Sequence, residues 1–261
     1  MSKTYYPGKE PLIHVYGRTK MQNPLPLFWS ASGIEFRTNA SECELELTAD
    51  YSDYEQWIRI ELNEYQLIRM PLVRGKNVIS VFRGMTESGE KRVRLYKEVQ
   101  AMGDPKAKLT VDKVICNGEL LPLADFECRI EFVGDSITSG EGLAGNSTMQ
   151  DWVASVFSNV GHYAVETATN LHAEYRIVSQ SGWGTYCGYN NDITMTIPGI
   201  YDQICGVQAE GIGAELGSMK ENDFENWQPD IVVINLGTND EGAFHFEEWK
   251  NPHTGKSTSR N

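Results

Sequence analysis

Ile130-Glu-Phe-Val-Gly-Asp-Ser-Ile-Thr138 runs an apolar strand into a glycine and then presents a serine between Asp135 and Ile137. A buried strand that ends in Gly134 lets the backbone turn sharply. The hydroxyl of Ser136 is then held at the carboxyl edge of a sheet, the ligand side of open α/β folds. A serine placed this way is a candidate nucleophile. Attack on a carbonyl would also require oxyanion donors and a histidine base elsewhere in the chain.

Downstream of this stretch the apolar residues come in solid runs separated by longer segments: Ile130–Val133, Tyr175–Val178 and Ile231–Leu236. Runs of that kind read as parallel strands buried on both faces and joined by crossovers. Between the first two, Trp152, Val153, Val156, Phe157 and Val160 fall on one helical face, and Asp151 stands where an N-cap would. A weaker, glycine-broken helical pattern spans Pro198 to Lys220.

Upstream the period is different. Ile34-Glu-Phe36, Cys43-Glu-Leu45-Glu-Leu47, Ile58-Arg-Ile60-Glu-Leu62, Val78-Ile-Ser-Val81, Val93-Arg-Leu95 and Leu109-Thr-Val111 mostly alternate apolar with polar residues, as half-buried antiparallel strands do. Turn signals separate them at Arg74-Gly-Lys-Asn, at Glu87-Ser-Gly-Glu and at Asn117-Gly118, the last a strong hairpin signal. The expectation is a β-sandwich of roughly 7–9 strands over residues 1–124, then an α/β domain over 125–261.

The three apolar runs of the second half each lead into a loop, and in a parallel sheet these loops share one edge. The first carries Ser136. The second is Ser179-Gln-Ser-Gly-Trp-Gly184, whose glycines let a backbone N–H point outward. The third is Asn235-Leu-Gly-Thr-Asn-Asp240, where the Asn239 amide is suited to a developing oxyanion. Taken singly, each block is equally a turn or a helix cap. Their succession at consecutive strand ends favours chemistry.

With Gly134-Asp-Ser-Ile-Thr138, Ser181-Gly182 and Gly237-Thr-Asn-Asp240 in this order, the chain resembles the SGNH hydrolases. Within them it is most similar to the second family of carbohydrate esterases, acetyl xylan esterases with a β-sandwich ahead of the hydrolase domain. Pro229-Asp-Ile-Val-Val-Ile-Asn235 leading into the third block adds to the likeness, which runs from about residue 12 onward. The resemblance implies a jelly-roll-like sandwich followed by a partial SGNH-type α/β domain. It implies a serine esterase that deacetylates xylan-like polysaccharides or oligosaccharides through an acyl-enzyme, without metal or organic cofactor. Ser136 would be the nucleophile, with its own N–H, the Gly182 N–H and the Asn239 side chain as oxyanion hole. Trp183 would stand at a substrate wall.

These hydrolases take their base from a late Asp-x-x-His block, and the chain stops 21 residues after Asp240. None of His14, His162, His172, His245 and His253 has an Asp three residues ahead. The expectation is therefore that the general base is not in this chain. The sequence then reads as the front portion of a longer polypeptide, with an apolar sheet edge left uncovered.

The net charge of −13, with scattered basic residues, disfavours nucleic acid and anionic membrane as partners. Five cysteines without CxxC spacing read as reduced thiols. The start, Met1-Ser-Lys-Thr-Tyr-Tyr-Pro-Gly8, has no signal-like apolar core, which reads as cytoplasmic; a secreted protein with its leader removed would look the same. Two rival readings are a dinucleotide site at Gly140-Glu-Gly-Leu-Ala-Gly145 and a non-catalytic carbohydrate-binding protein using Trp29, Tyr51, Tyr54 and Trp57. The glycine pattern starts too far from Val133 to serve the first, and the aromatics are equally suited to packing.

Overall fold

The computed structural model describes residues 2–86, 89–149, 151–251, 254, 255 and 257. Part of the Glu87-Ser-Gly-Glu turn, and His253, lie outside them. The first half forms strands β1 (Lys3–Tyr5), β2 (His14–Tyr16), β3 (Leu25–Pro26), β4 (Gly33–Thr38), β5 (Cys43–Asp50), β6 (Trp57–Leu62), β7 (Tyr65–Pro71), β8 (Gly75–Phe82), β9 (Lys91–Lys97), β10 (Lys108–Cys116) and β11 (Leu120–Leu121). One antiparallel sheet runs β1-β10-β5-β8 with β3 also on β10; the other runs β11-β4-β9-β6-β7 with β2 on β4. The alternating residues read from the sequence face inward: Leu45 and Leu47 from one sheet meet Ile34, Phe36, Ile58, Ile60, Val93 and Leu95 from the other in a shared core. The strands outnumber the expected 7–9 because β1, β2, β3 and β11 are two or three residues long, too short to show a period.

Asn117-Gly118 is not a hairpin. After it the chain leaves β10 for β11, which pairs with β4 in the opposite sheet. The turn is pinned instead by side-chain bonding: the Asn117 Oδ1 accepts from the Ser41 and Glu42 N–H groups at 2.9 and 3.0 Å, and its Nδ2 donates to Ser41 Oγ at 2.8 Å. A side chain at Gly118 would meet Ala40 Cα at 2.6 Å.

The second half forms β12 (Cys128–Gly134), α1 (Ser136–Ser139), α2 (Tyr163–Asn170), β13 (Ala173–Ser179), α3 (Gly211–Glu215), β14 (Ile231–Asn235) and α4 (Thr238–Gly242). Its sheet is parallel, ordered β13-β12-β14. The expected helix over 151–160 is absent; Ala154–Val156 is a single 3-10 turn, and the crossover helix is α2, further along. Tertiary partners claim the backbone there. Arg69 donates to the carbonyls of Ser155 and Phe157, and Val156 O accepts from Ala144 N–H. The 198–220 pattern breaks into two 3-10 turns and the five-residue α3.

β12 and β13 are buried, as their apolar runs require, but β14 is not: Ile231, Val232 and Ile234 are 45, 47 and 69% exposed. β14 is an edge strand, and among the described residues nothing pairs with its outer side. An open apolar groove of about 400 Å³ lies along it, walled by Ile197, Tyr201, Val232, Ile234 and Leu236. No described helix is long and apolar enough to cross a membrane.

The two sheet systems share their interior. Trp29 is fully buried and donates to Ile204 O at 2.7 Å, while Tyr175 Oη donates to Ala31 O at 2.9 Å. Arg18 and Glu131 form a buried ion pair across the seam at 3.0 Å. Tyr54 stacks edge-on against Trp152, the Tyr51 hydroxyl bonds Leu72 O, and Trp57 lies under the Arg69 guanidinium. These aromatics serve packing, which removes the feature behind a sugar-binding sandwich.

Candidate active site

The parallel register sets one edge of the sheet level: Gly134 stands beside Ser179 on one side and Asn235 on the other. All three quoted loops leave from that edge. At Gly134 a Cβ would sit 2.0 Å from Thr138 Oγ1 and 2.9 Å from Asn235 O, so only glycine allows α1 to begin this close to the strand. Asp135 caps the helix, its Oδ1 accepting from Ile137 N–H at 3.1 Å. Ser136 is the first helical residue, half-buried, with a hydroxyl that has no partner among the described residues. Asp135 is 1% exposed and its Oδ2 is unpaired. Burial, with Glu141 and Asp240 nearby, pushes this carboxyl above the usual range against the Ile137 N–H bond.

The second loop is held by its neighbours so that one amide stays free. Ser181 N–H and Oγ both bond Gln100 Oε1 at 2.8 Å, and Trp183 N–H bonds Gln180 O at 3.2 Å. The Gly182 N–H between them has no protein acceptor among the described residues. Gly182 has φ +77°, a left-handed conformation suited to glycine, and the Tyr189 ring lies against it. Trp183 is half-buried and packs on the cluster containing Val133, Val178 and Ile197.

The third loop ties itself to the second. Asn239 Nδ2 donates to Trp183 O at 2.8 Å. Asp240 accepts from three successive amides, Thr185 at 2.8 Å, Tyr186 at 2.6 Å and Cys187 at 3.2 Å. Burial would raise the Asp240 pKa, but these amide bonds outweigh it and hold the carboxylate below its ordinary value. Gly184 makes room, since a Cβ there would stand 2.5 Å from Asp240 Oδ2. Ser136, Gly182 and Asn239 are thus brought to one edge. Asp240, Gln100 and Tyr189 join them although sequence reading did not single them out. Asp240 was within the quoted block; its partners, more than fifty residues away, were not visible.

No described histidine faces the serine with a free imidazole held in place. His162 is fully buried with both ring nitrogens committed: Nε2–H donates to Thr138 O at 3.0 Å and Nδ1 accepts from Ala164 N–H at 3.2 Å. His14 lies 3.7 Å from Glu174, and His172 precedes β13, so both are at the far end of the strands, roughly 20 Å from the edge that carries Ser136. His245 follows α4 and is exposed. An open cleft of about 850 Å³ around His14, Phe126, Arg129 and Glu174 is also at that far edge and holds none of the three blocks. Gly140 ends α1 rather than opening a helix, so the glycine pattern after it lacks the strand–turn–helix setting of a dinucleotide site. Among the described residues no group of three His, Cys, Asp or Glu could hold a metal ion.

No family model matches the chain. An acetyl xylan esterase from the rumen bacterium Butyrivibrio proteoclasticus is 38% identical, with a TM-score of 0.95 over 98% of this chain and 69% of that one. A family two carbohydrate esterase from Clostridium thermocellum, solved in complex with cellohexaose, is 26% identical, with a TM-score of 0.74 over 87% of this chain and 66% of its own. The acetylxylan esterase / glucomannan deacetylase of Cellvibrio japonicus is 24% identical over 247 residues, 92% of this chain. The chain spans 24% and 64% of the length of the curated relatives it matches.

Proposed function

Since this chain belongs to the second carbohydrate esterase family, with its SGNH-type fold, we propose that it is a serine esterase that removes acetyl groups from a β-linked plant polysaccharide or its oligosaccharides. Ser136 Oγ attacks the acetyl carbonyl carbon and forms a tetrahedral oxyanion. The Ser136 and Gly182 N–H groups and the Asn239 amide stabilise that charge. Collapse expels the sugar hydroxyl and leaves acetyl-Ser136, which water hydrolyses to acetate. The observation that carries this reading is the Asn239–Trp183 bond. It uses one of the two amide hydrogens and leaves the other for a ligand, on a loop that leaves the same sheet edge as Ser136 and as Gly182, whose N–H has no protein acceptor among the described residues.

On this reading none of the described histidines is placed as the general base, since His14, His162 and His172 are committed or remote and His245 is exposed on a turn. Acetylated xylan and glucomannan are the substrates that the relatives' names support. The sheet orders β3-β10-β5-β8 and β4-β9-β6-β7, in which every successive strand except the β6–β7 hairpin changes sheet, support a jelly-roll path for the sandwich over residues 1–124, ahead of a hydrolase unit from 125 onward.

Acetate release from acetylated xylan by the natural protein tests the proposal. Ser136→Ala should lower kcat about a million-fold with the melting temperature unchanged. Turnover retained in Ser136→Ala would remove the serine from the mechanism. His245→Gln should leave kcat intact, and a loss would locate the base there.

A further inference from the structure

Two of the five cysteines face each other across a strand pair. Cys43 of β5 and Cys116 of β10 are directly opposite in the antiparallel register. The adjacent pair is hydrogen-bonded, with Asn117 N–H donating to Glu42 O at 3.3 Å. Pairs alternate along an antiparallel ladder, so Cys43 and Cys116 occupy a non-hydrogen-bonded position, where Cα atoms are about 4.5 Å apart. That lies within the span a disulfide bridges, roughly 4.4–6.8 Å. Their side chains point to the same face of the sheet, into the sandwich core, and the residues are 0% and 2% exposed. The Cys116 thiol currently makes only weak contacts, with Thr38 Oγ1 at 3.9 Å and Gly118 O at 3.7 Å.

We propose that Cys43 and Cys116 form a cross-strand disulfide when the chain folds in oxidising surroundings, clamping β5 to β10 at the point where the chain crosses between sheets. The odd number of cysteines excludes a framework that uses all of them but not this one bridge. The chemistry is two successive exchanges with a small disulfide such as glutathione disulfide. One cysteine thiolate attacks a sulfur of that disulfide and releases a thiol. The second thiolate then attacks the mixed disulfide and releases the other, so two cysteine thiols and one disulfide become one protein disulfide and two small thiols. Burial raises both thiol pKa values in the folded protein, for Cys43 with a further rise from Cys116. The bond therefore forms before the sandwich closes, and afterwards is shielded from reductant.

Refolding the natural protein from denaturant in a glutathione redox buffer, alkylating, and mapping peptides without reduction tests this. The expected result is a linked pair containing Cys43 and Cys116, with the other cysteines alkylated. The oxidised protein should melt roughly 5–10 °C above the reduced one, a difference that disappears in Cys116→Val. If all five cysteines of the chain are alkylated after oxidative refolding, the proposal is wrong. It is equally wrong if Cys43 or Cys116 is found linked to a different cysteine. The wild-type comparison needs no variant, so a failure of Cys116→Val to fold leaves the test intact.

Discussion

At the scale of single residues, Asn239 has two amide hydrogens and Trp183 O takes one of them. On the proposed mechanism Asn239→Ala removes the other from the oxyanion hole, and kcat on an aryl acetate should fall about 100- to 1,000-fold with little change in KM. An equal loss in both parameters' ratio carried by KM alone would mean that the amide binds substrate rather than the developing charge. Asp240 acts one step behind. Its carboxylate arranges Thr185, Tyr186 and Cys187, so Asp240→Asn should lower kcat roughly ten- to a hundred-fold by loosening the Gly182 loop. Its depressed pKa means that its contribution to stability is present above the unfolded pKa and is lost as pH falls through the folded one. That Ser136, Gly182 and Asn239 come to one sheet edge was legible because each follows an apolar run within a few residues. The groups that hold them, Asp240 on the second loop and Gln100 on Ser181, act across long stretches of chain that no local pattern connects.

At the scale of elements, the junction of β12 and α1 depends on a position without a side chain. Gly134→Ala would drive a methyl into Thr138 and Asn235 O, costing about 1–3 kcal/mol and displacing Ser136. Urea unfolding would measure the first effect and kcat the second, and a variant unchanged in both would show that α1 can shift freely. Strand positions were readable because alternation and solid apolar runs record which faces are buried. The segment over 151–160 misleads because its apolar spacing suits a helix while Arg69 and Ala144 take its backbone groups. Phe157 there is fully buried, so Phe157→Ala should cost about 3–5 kcal/mol although it lies outside any helix or strand. α2 escaped notice for the opposite reason: it is capped by His162, carries β-branched Val165, Thr167 and Thr169, and spans only eight residues.

At the scale of the whole molecule, the sandwich and the parallel sheet meet across buried polar groups. Glu98 takes Arg69 at 2.7 Å and Ser158 Oγ at 3.0 Å, while Asn159 bonds Lys97 O at 2.7 Å. Lys97 itself is fully enclosed, and burial lowers its pKa from 10.5 to about 7. Above about pH 7 the unfolded chain keeps a proton that the folded one releases, so this lysine makes stability rise with pH through that window. Urea midpoints at about pH 7 and about pH 8, below the ordinary thiol range, should rise in the wild type and stay flatter in Lys97→Met. Parallel slopes would show that Lys97 keeps its charge in the folded protein. The seam was not legible, because Lys97 and Glu98 fall in what reads as the exposed end of a strand. The Asn117-Gly118 turn, finally, has a chemical consequence. Asparagine before glycine ages by cyclising onto the following amide nitrogen, which needs a mobile side chain. Three hydrogen bonds hold the Asn117 amide still, so the folded protein should keep it while unfolded chains convert it to aspartate and isoaspartate. Peptide mapping of stored samples would then read this one residue as a clock of the time each molecule has spent unfolded.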